Sequence, residues 1–281
     1  MSILDGRQVK IQILKELKEK LLKLNESIGL VVIQIGDDVA SSVYVRQKNK
    51  MATDLNYKFQ HIKLPSNIKE DELLKIIENL NNDDAVDGIL VQMPIPKHLD
   101  ANKVQNSILS CKDVDGLTDI NAGMLVHNKD GLIPCTPMGI IDLLDHYNIP
   151  IEGKNVVIIG RSNLVGKPLA NLMTNKNATV TLCHSKTNNL PFYTNNADIL
   201  VASVGIPNFI TEDMVKPGAI VIDVGINRLP DGSLCGDVDF TNVKEKASYI
   251  TPVPGGIGQM TVAELAVNTY KAHILKKDLT K

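Results

Sequence analysis

The chain has 281 residues, of which 43% are hydrophobic and 22% are charged, and its formal net charge at pH 7 is −2. This length and composition are typical of a soluble globular protein that is large enough for two domains. Charges of both signs are mixed along the chain, without a basic face, an RNA-binding motif or an acidic tail, which excludes nucleic acid and membrane surfaces as expected partners.

The first 23 residues are predicted to form an amphipathic helix rather than a targeting segment. Acidic side chains at Asp5, Glu16 and Glu19 interrupt its apolar face, and no run in the sequence approaches the ~20 apolar residues that span a bilayer. The cysteines are widely spaced and form no C-x-x-C pair, so we expect no metal site and no disulfide framework. A cytoplasmic protein with reduced thiols fits these features.

An alternation of strand and helix patterns predicts a first lobe with parallel strands. The expected strands are residues 30–35, 57–64 and 88–92, and the expected helices are residues 43–55, capped by Ser41 or Ser42, and residues 69–80. Within the first of these helices, Tyr44 and Lys48 are four residues apart and share one face. An aromatic ring and an amine there are able to meet one ligand, although spacing alone favours a solvated lysine face with Tyr44 half packed.

Two polar groups follow the last strand of this lobe. Gln92 stands at its carboxyl end, where ligands of open α/β sheets bind, and it can equally satisfy the backbone of the Met93-Pro94 turn. Asp113 and Asp115 precede a glycine, which is typical of a turn and also of a site for a polar ligand or a metal. On spacing alone the turn is the better interpretation.

The second lobe is predicted to be a doubly wound parallel sheet. Its strands are expected near residues 155–159, 178–182, 199–203 and 219–224. A helix capped by Thr136 precedes them, residues 230–233 are expected to be a hairpin turn, and the last helix is expected from residue 262 to about 275. The glycine-rich segment before that helix is either a ligand-binding loop or a hinge.

The turn after the first of these strands has features of a phosphate-binding turn. Gly160 lets the backbone approach an anion at a helix N-terminus, although Ser162 and Gly166 depart from the G-x-G-x-x-G spacing, and an ordinary turn explains the pattern as well. The next strand ends in His184-Ser185-Lys186, without the acid that binds the ribose of NAD. Together with Arg161, these residues favour a binding site for the 2′-phosphate of NADP over an ordinary solvated loop.

These segments together resemble the bifunctional methylenetetrahydrofolate dehydrogenase/methenyltetrahydrofolate cyclohydrolase family over nearly the whole chain. The motifs that carry the resemblance are Tyr44-Val45-Arg46-Gln47-Lys48, Val91-Gln92-Met93-Pro94, Asp113-Val114-Asp115-Gly116, Pro134-Cys135-Thr136-Pro137, Gly160-Arg161-Ser162 with Gly166-Lys167-Pro168, and Pro252-Val253-Pro254-Gly255-Gly256. Each motif is weak alone, but their combination in this order is highly specific.

The resemblance implies an α/β protein with two lobes and a cleft between them. The first is a folate-binding catalytic lobe, residues 1–135 with the C-terminal helix 260–281, and the second is a Rossmann-type NADP-binding domain, residues 136–259. It further implies a homodimer that oxidises 5,10-methylenetetrahydrofolate with NADP and hydrolyses the methenyl product to 10-formyltetrahydrofolate, as part of one-carbon metabolism and purine biosynthesis. An NADP dehydrogenase of another small substrate and a catalytically silent NADP-binding scaffold stay open as alternatives.

The resemblance also assigns roles to individual residues. Lys48 is implied to transfer the proton in the hydrolysis, Gln92 to orient it, Tyr44 to pack along the folate and Asp115 to bind the pterin. Further implied substrate-binding residues are Val91, Met93, Pro254, Gly255 and Gly256, and the implied cofactor-binding residues are Gly160, Arg161, Ser162, Ser185 and Ile226. The sequence departs from the family at Val39 and Gln259, each in place of a usual proline, and at Asn56 in place of a usual glycine.

Overall fold

The structure is a computed structural model that describes residues 2–279, without the side chains of residues 39, 40, 278 and 279. The chain divides into two compact units. We call residues 13–135 with 262–281 the Lys48 unit, and residues 1–12 with 136–261 the Gly160 unit. Met1, which the predicted first helix included, and the side chain of Val39 lie outside the described residues.

Helices and strands alternate along the chain except for three successive helices within residues 101–146 and three successive strands within residues 220–235. The strands are β1 (Ser2–Ile3), β2 (Gly29–Ile35), β3 (Lys58–Leu64), β4 (Gly88–Val91), β5 (Asn155–Ile159), β6 (Thr179–Cys183), β7 (Ile199–Ala202), β8 (Ile220–Asp223), β9 (Asn227–Arg228), β10 (Leu234–Cys235) and β11 (Tyr249–Ile250). The helices are α1 (Gly6–Leu24), α2 (Val39–Asp54), α3 (Glu70–Asn81), α4 (Ala101–Asn106), α5 (Asp119–Val126), α6 (Cys135–His146), α7 (Gly166–Asn175), α8 (Leu190–Thr194), α9 (Phe240–Val243) and α10 (Ile257–Leu279).

The Lys48 unit is built on a parallel sheet of three strands in the order β3-β2-β4. Every residue of the central strand β2 is buried, which explains the apolar run from Leu30 to Ile33. One core beside this sheet combines Leu30 and Val32 with Val45 of α2 and with Leu265 and Ala266 of α10. The C-terminal helix is therefore part of this unit from residue 262 onward.

Helix α2 begins earlier than the sequence indicated. The carboxylate of Asp38 accepts a 2.7 Å hydrogen bond from the backbone N–H of Ser41 and caps the helix. The prediction of a cap at Ser41 or Ser42 was therefore wrong. Aspartate caps a helix as well as serine does, so its position just before the first turn decides the start.

The Gly160 unit contains a six-stranded sheet in the order β1-β11-β8-β7-β5-β6, in which every described pair is parallel. The chain runs from β5 to β6 on one side and then returns to β7 on the other. The strand order thus reverses between β5 and β7, and ligands of such sheets bind in the crevice outside the carboxyl ends of the strands at this point. The predicted parallel α/β fold is confirmed.

Two details of this unit differ from the sequence prediction, and one agrees with it. Residues 1–12 belong to it and not to the first lobe, because Ser2 and Ile3 pair with β11. Helix α6 begins at Cys135, so Thr136 lies inside it, where its hydroxyl bonds that of Thr261 at 2.9 Å. The predicted hairpin is confirmed by the antiparallel pair of β9 and β10.

Candidate functional site

A lysine and a glutamine meet at the carboxyl end of β4. The Lys48 amine on α2 donates a 2.8 Å hydrogen bond to Gln92 Oε1, and Gln92 Nε2 donates to the Met93 carbonyl oxygen at 2.9 Å. The carbonyl can only accept, so the Gln92 amide turns its nitrogen to Met93 and its oxygen to the amine. The structure thus brings together two of the predicted site residues.

Burial controls the charge of this amine. Lys48 is only 8% exposed. Loss of solvent lowers the pKa of Lys48 below its ordinary value of 10.5, and the nearby Asp115 carboxylate and Cys135 sulfur oppose this shift. Burial likewise raises the pKa of Asp115, against the effect of Lys48. The pKa values of Lys48 and Asp115 therefore lie closer together than those of two exposed groups of the same kinds.

The turn that carries Asp115 is fixed by two side chains from distant parts of the chain. The Cys135 thiol donates to the Val114 carbonyl at 3.2 Å, and Asn268 Nδ2 of α10 donates to the same oxygen at 3.0 Å and to the Ile133 carbonyl at 2.7 Å. Burial raises the pKa of Cys135 well above its ordinary value, so the thiol keeps its proton and donates. Sequence reasoning missed both residues: Cys135 stood in a quoted motif without a role, and Asn268 gave no local signal.

The remaining predicted substrate residues of this unit differ in exposure. Tyr44, one turn before Lys48, is half-buried, and burial raises the pKa of its hydroxyl, which stays neutral. Val91 is 2% exposed and its side chain packs in the core, so its contact with the substrate stays a prediction. Met93 is partly exposed beside Gln92.

In the Gly160 unit, the turn after β5 requires glycine at two positions. Gly160 has φ +119°, and a Cβ there would overlap the Ser203 carbonyl oxygen, while a Cβ on Gly166 would overlap the Gly160 carbonyl. The Ser162 hydroxyl accepts a 3.1 Å hydrogen bond from the Val165 N–H just before α7. Arg161 and Ser162 are exposed beside this backbone cradle.

The loop after β6 presents polar side chains to solvent. The His184 N–H donates to the Thr187 hydroxyl at 2.9 Å, and the Lys186 N–H donates to His184 Nδ1 at 3.1 Å, which closes the loop on itself. Ser185 and Lys186 remain exposed. Since β6 lies next to β5, this loop lies beside the Gly160 turn at the same edge of the sheet.

The glycine-rich segment before α10 lies in the same unit. Gly255 has φ +121° and packs against the Arg7 guanidinium, whereas Pro254 is exposed. Helix α10 starts at Ile257, so the predicted start at residue 262 was wrong and the loop is shorter than expected. Gln259, which lies in the first turn of this helix, accepts a 3.2 Å hydrogen bond from the Lys10 amine. Gly256 is buried, and Ile226, after β8, is 42% exposed.

Within residues 2–279, no group of three or more histidine, cysteine or acidic side chains is arranged to hold a metal ion. None of the described helices combines the length and the apolar character that crossing a membrane requires. Each cysteine has a free thiol.

Comparisons with known proteins show the family of the chain. The sequence model of the tetrahydrofolate dehydrogenase/cyclohydrolase catalytic domain matches residues 4–115, and that of the NAD(P)-binding domain of the same family matches residues 134–277. The bifunctional protein FolD of Campylobacter hominis is 51% identical over 276 residues, which cover 97% of either chain. The FolD of Wolinella succinogenes is 52% identical over 97% of this chain and 96% of its own.

Solved structures show the same likeness. FolD methylenetetrahydrofolate dehydrogenase/cyclohydrolase from Campylobacter jejuni superposes with a TM-score of 0.96 at 47% identity, covering 98% of this chain and 99% of its own. The Trypanosoma brucei enzyme, solved with NADP cofactor and an inhibitor, has a TM-score of 0.94 at 34% identity and covers 100% of this chain and 99% of its own. The chain therefore belongs to the tetrahydrofolate dehydrogenase/cyclohydrolase family.

Proposed function

We propose that this chain catalyses two consecutive reactions on one folate and that Lys48, Gln92, Asp115 and Tyr44 form its folate site. The enzyme oxidises 5,10-methylenetetrahydrofolate to the methenyl form with NADP and then hydrolyses that product to 10-formyltetrahydrofolate. The observation that carries the proposal is the buried Lys48 amine bonded at 2.8 Å to an amide oxygen. A buried lysine with a lowered pKa is a typical general base, and the hydrolysis needs one.

The oxidation places few demands on acid–base groups. When bound, NADP accepts the hydride from the methylene carbon of the folate. The positive charge that remains is shared by two folate nitrogens, so a base is not needed at this step. What the step needs is proximity, with the reacting atoms held about 3 to 3.5 Å apart.

The hydrolysis depends on Lys48. Water attacks the methenyl carbon, and the amine takes a proton from it as the new carbon–oxygen bond forms. The bond from that carbon to N5 then breaks, N5 takes up the second proton of the water, and the formyl group stays on N10. A free lysine has a pKa of ~10.4, so a base that works near pH 7 needs a drop of about three units, or ~4 kcal/mol. Burial lowers the pKa of Lys48, and the cationic substrate next to the amine would lower it further.

Three other residues position the reacting groups. The Gln92 oxygen holds the amine in one direction, because its own amide nitrogen is fixed by the Met93 carbonyl. The Asp115 carboxylate accepts hydrogen bonds from the pterin and orients it. Tyr44 lies on the same helix face as Lys48 and provides a flat, partly buried ring against which the folate packs.

The nucleotide is assigned to the Gly160 unit. The turn at Gly160 and Gly166 leaves no room for a Cβ, so its backbone can approach a phosphate closely, and it precedes the N-terminus of α7. Arg161 and Ser185 are exposed beside it and supply a cation and a hydroxyl for the 2′-phosphate, while Ser162 shapes the turn. We assign the exposed Ile226 to the nicotinamide end.

Pro254, Gly255 and Gly256 complete the assignment as backbone contacts of the folate. For the domain roles, we infer that the catalytic residues belong to the Lys48 unit and the nucleotide-binding residues to the Gly160 unit. A homodimer, a cytoplasmic location and a contribution to purine biosynthesis are supported by the family resemblance. Light scattering after size-exclusion chromatography tests the dimer.

An assay of the purified protein with 5,10-methylenetetrahydrofolate and NADP tests the function directly. We expect NADPH and 10-formyltetrahydrofolate to form together, and added methenyltetrahydrofolate to be hydrolysed without any nucleotide. NADPH formation from an unrelated small alcohol but not from the folate would instead show another dehydrogenase. NADPH binding without turnover of either folate would show a silent nucleotide-binding protein.

A further inference from the structure

The Gly160 unit contains a buried carboxylate that organises a loop beside the proposed nucleotide site. Asp237 is 0% exposed, and its Oδ2 accepts hydrogen bonds from the backbone N–H groups of Val204 at 2.6 Å and Gly205 at 3.0 Å. Its Oδ1 accepts from the Ile206 N–H at 3.0 Å and from Asn227 Nδ2 at 2.9 Å. These donors are all neutral. Three of them are consecutive backbone amides of the loop, which stabilise the buried Asp237 carboxylate.

The loop lies where the sheet predicts a ligand. Residues 204–206 follow β7 at its carboxyl end, and the Ser203 carbonyl packs against Gly160 at the end of β5. The strand order reverses between β5 and β7, so these residues border the crevice at the switch point of the sheet. The backbone of residues 204–206, which Asp237 holds in place, therefore forms one wall of the crevice to which we assign the nucleotide.

The carboxylate is itself held in place by a second buried acid. Asp223 accepts hydrogen bonds from the N–H groups of Asp237 at 2.9 Å, Val238 at 2.9 Å and Gly225 at 3.0 Å, and its own N–H donates to the Thr251 hydroxyl at 2.7 Å. A Cβ on Gly225 would overlap the Asp237 carboxylate. The segment after β8 therefore packs closely around Asp237.

We propose that Asp237 is a positioning residue for NADP, because it fixes the loop after β7 and, through Asn227, the segment that carries Ile226. This inference rests on the proposed function, since it assumes that the crevice binds NADP. Asp237 is not expected to touch the reacting atoms. It acts through the backbone of residues 204–206 and orders that wall of the crevice before the nucleotide arrives.

The variant Asp237→Asn replaces the carboxylate by a neutral amide of nearly the same volume and so tests whether the carboxylate is needed. An amide has one acceptor oxygen, so in either orientation its NH₂ group faces N–H donors, either those of Val204 and Gly205 or those of Ile206 and Asn227. We expect the Kd for NADPH and the KM for NADP to rise at least tenfold. Hydrolysis of added methenyltetrahydrofolate should stay within twofold of wild type, because it needs no nucleotide.

The matched control is Asp239→Asn, two residues further on. The Asp239 carboxylate caps α9 by accepting hydrogen bonds from Asn242, and its described side-chain hydrogen bonds do not involve residues 204–206. We expect this variant to bind NADPH as wild type does. Nucleotide binding that is equally weakened in both variants would overturn the assignment of Asp237, as would unchanged NADPH binding by Asp237→Asn or a parallel loss of both activities in that variant.

If Asp237→Asn does not fold, Asn227→Leu removes one donor from the carboxylate and leaves the acid in place. We then expect a two- to fivefold rise in the Kd for NADPH with unchanged hydrolysis, and a wild-type Kd would overturn the proposal. NADPH binding is read from its own fluorescence, without turnover. An inactive wild-type protein that binds NADPH would therefore count against the proposed function and not against the role of Asp237.

Discussion

The amine of Lys48 and the side-chain oxygen of Gln92 are 2.8 Å apart although the two residues are 44 positions apart in the sequence. The parallel sheet creates this proximity, because β4 ends at Val91 and leaves Gln92 at its carboxyl end, next to the face of α2 that carries Lys48. Burial lowers the pKa of the Lys48 amine, and the nearby Asp115 carboxylate opposes this shift only in part. The chemistry of Lys48 and Gln92 can be tested one group at a time.

Replacing the amine should separate the two reactions. We expect Lys48→Met to lower the rate of methenyltetrahydrofolate hydrolysis by about 10² to 10⁴-fold, the usual contribution of a general base, and to leave NADPH formation within a few-fold of wild type. Lys48→Arg should lose the hydrolysis as well, because a guanidinium keeps its proton. Lys50→Met, at an exposed position of the same helix, is the matched control and should change neither rate. Equal loss of both activities in Lys48→Met would reassign the residue to binding or folding.

Changing Gln92 should move the pH profile of the hydrolysis. Gln92→Glu places a carboxylate at the position that now accepts the 2.8 Å bond, and an adjacent negative charge raises the pKa of Lys48 by about 1 to 3 units. Lys48 acts as a base only when neutral, so the acid limb of kcat/KM should shift to higher pH and activity at pH 7 should fall. Gln92→Leu should lower kcat without this shift. Superimposable profiles for Gln92→Glu and wild type would show that Gln92 does not influence the amine.

Much of this arrangement could be predicted from local sequence, and the rest depends on distant partners. Strand β2 was predictable because both its faces are buried, so four consecutive apolar residues, 30–33, stand in its middle. Helix α5 was missed because Asp-Ile-Asn-Ala-Gly-Met-Leu-Val has no clear helical periodicity and contains a glycine. Gln92 carried a signal from its place at the end of a strand, and Lys48 carried one from its four-residue spacing from Tyr44. Cys135 and Asn268 did not, because their common partner Val114 lies 21 and 154 residues away.

Arg161 should determine the choice of nucleotide. It is exposed beside the Gly160 turn, and a hydrogen bond to a charged group is worth ~1.5 to 3 kcal/mol. We expect Arg161→Ala to raise the KM for NADP roughly 10- to 100-fold, with the KM for NAD almost unchanged, because NAD lacks the 2′-phosphate. Arg228→Ala, in the β9 strand of the hairpin, removes a similar exposed charge and is the control. An unchanged ratio of the two KM values would remove Arg161 from the 2′-phosphate site.

Asn56 explains how the chain tolerates the loss of a glycine that is usual in the family. Its φ is +58°, a left-handed conformation that asparagine adopts more easily than other residues with a side chain. We expect Asn56→Ala to lower the free energy of unfolding by about 1 to 2 kcal/mol, whereas Asn49→Ala, at an exposed position inside α2, should raise it by a few tenths of a kcal/mol, because alanine is the better helix former. Asn56→Gly should restore stability to wild type or above. Urea unfolding of the three variants measures these differences, and an Asn56→Ala protein as stable as Asn49→Ala would contradict the left-handed backbone at residue 56.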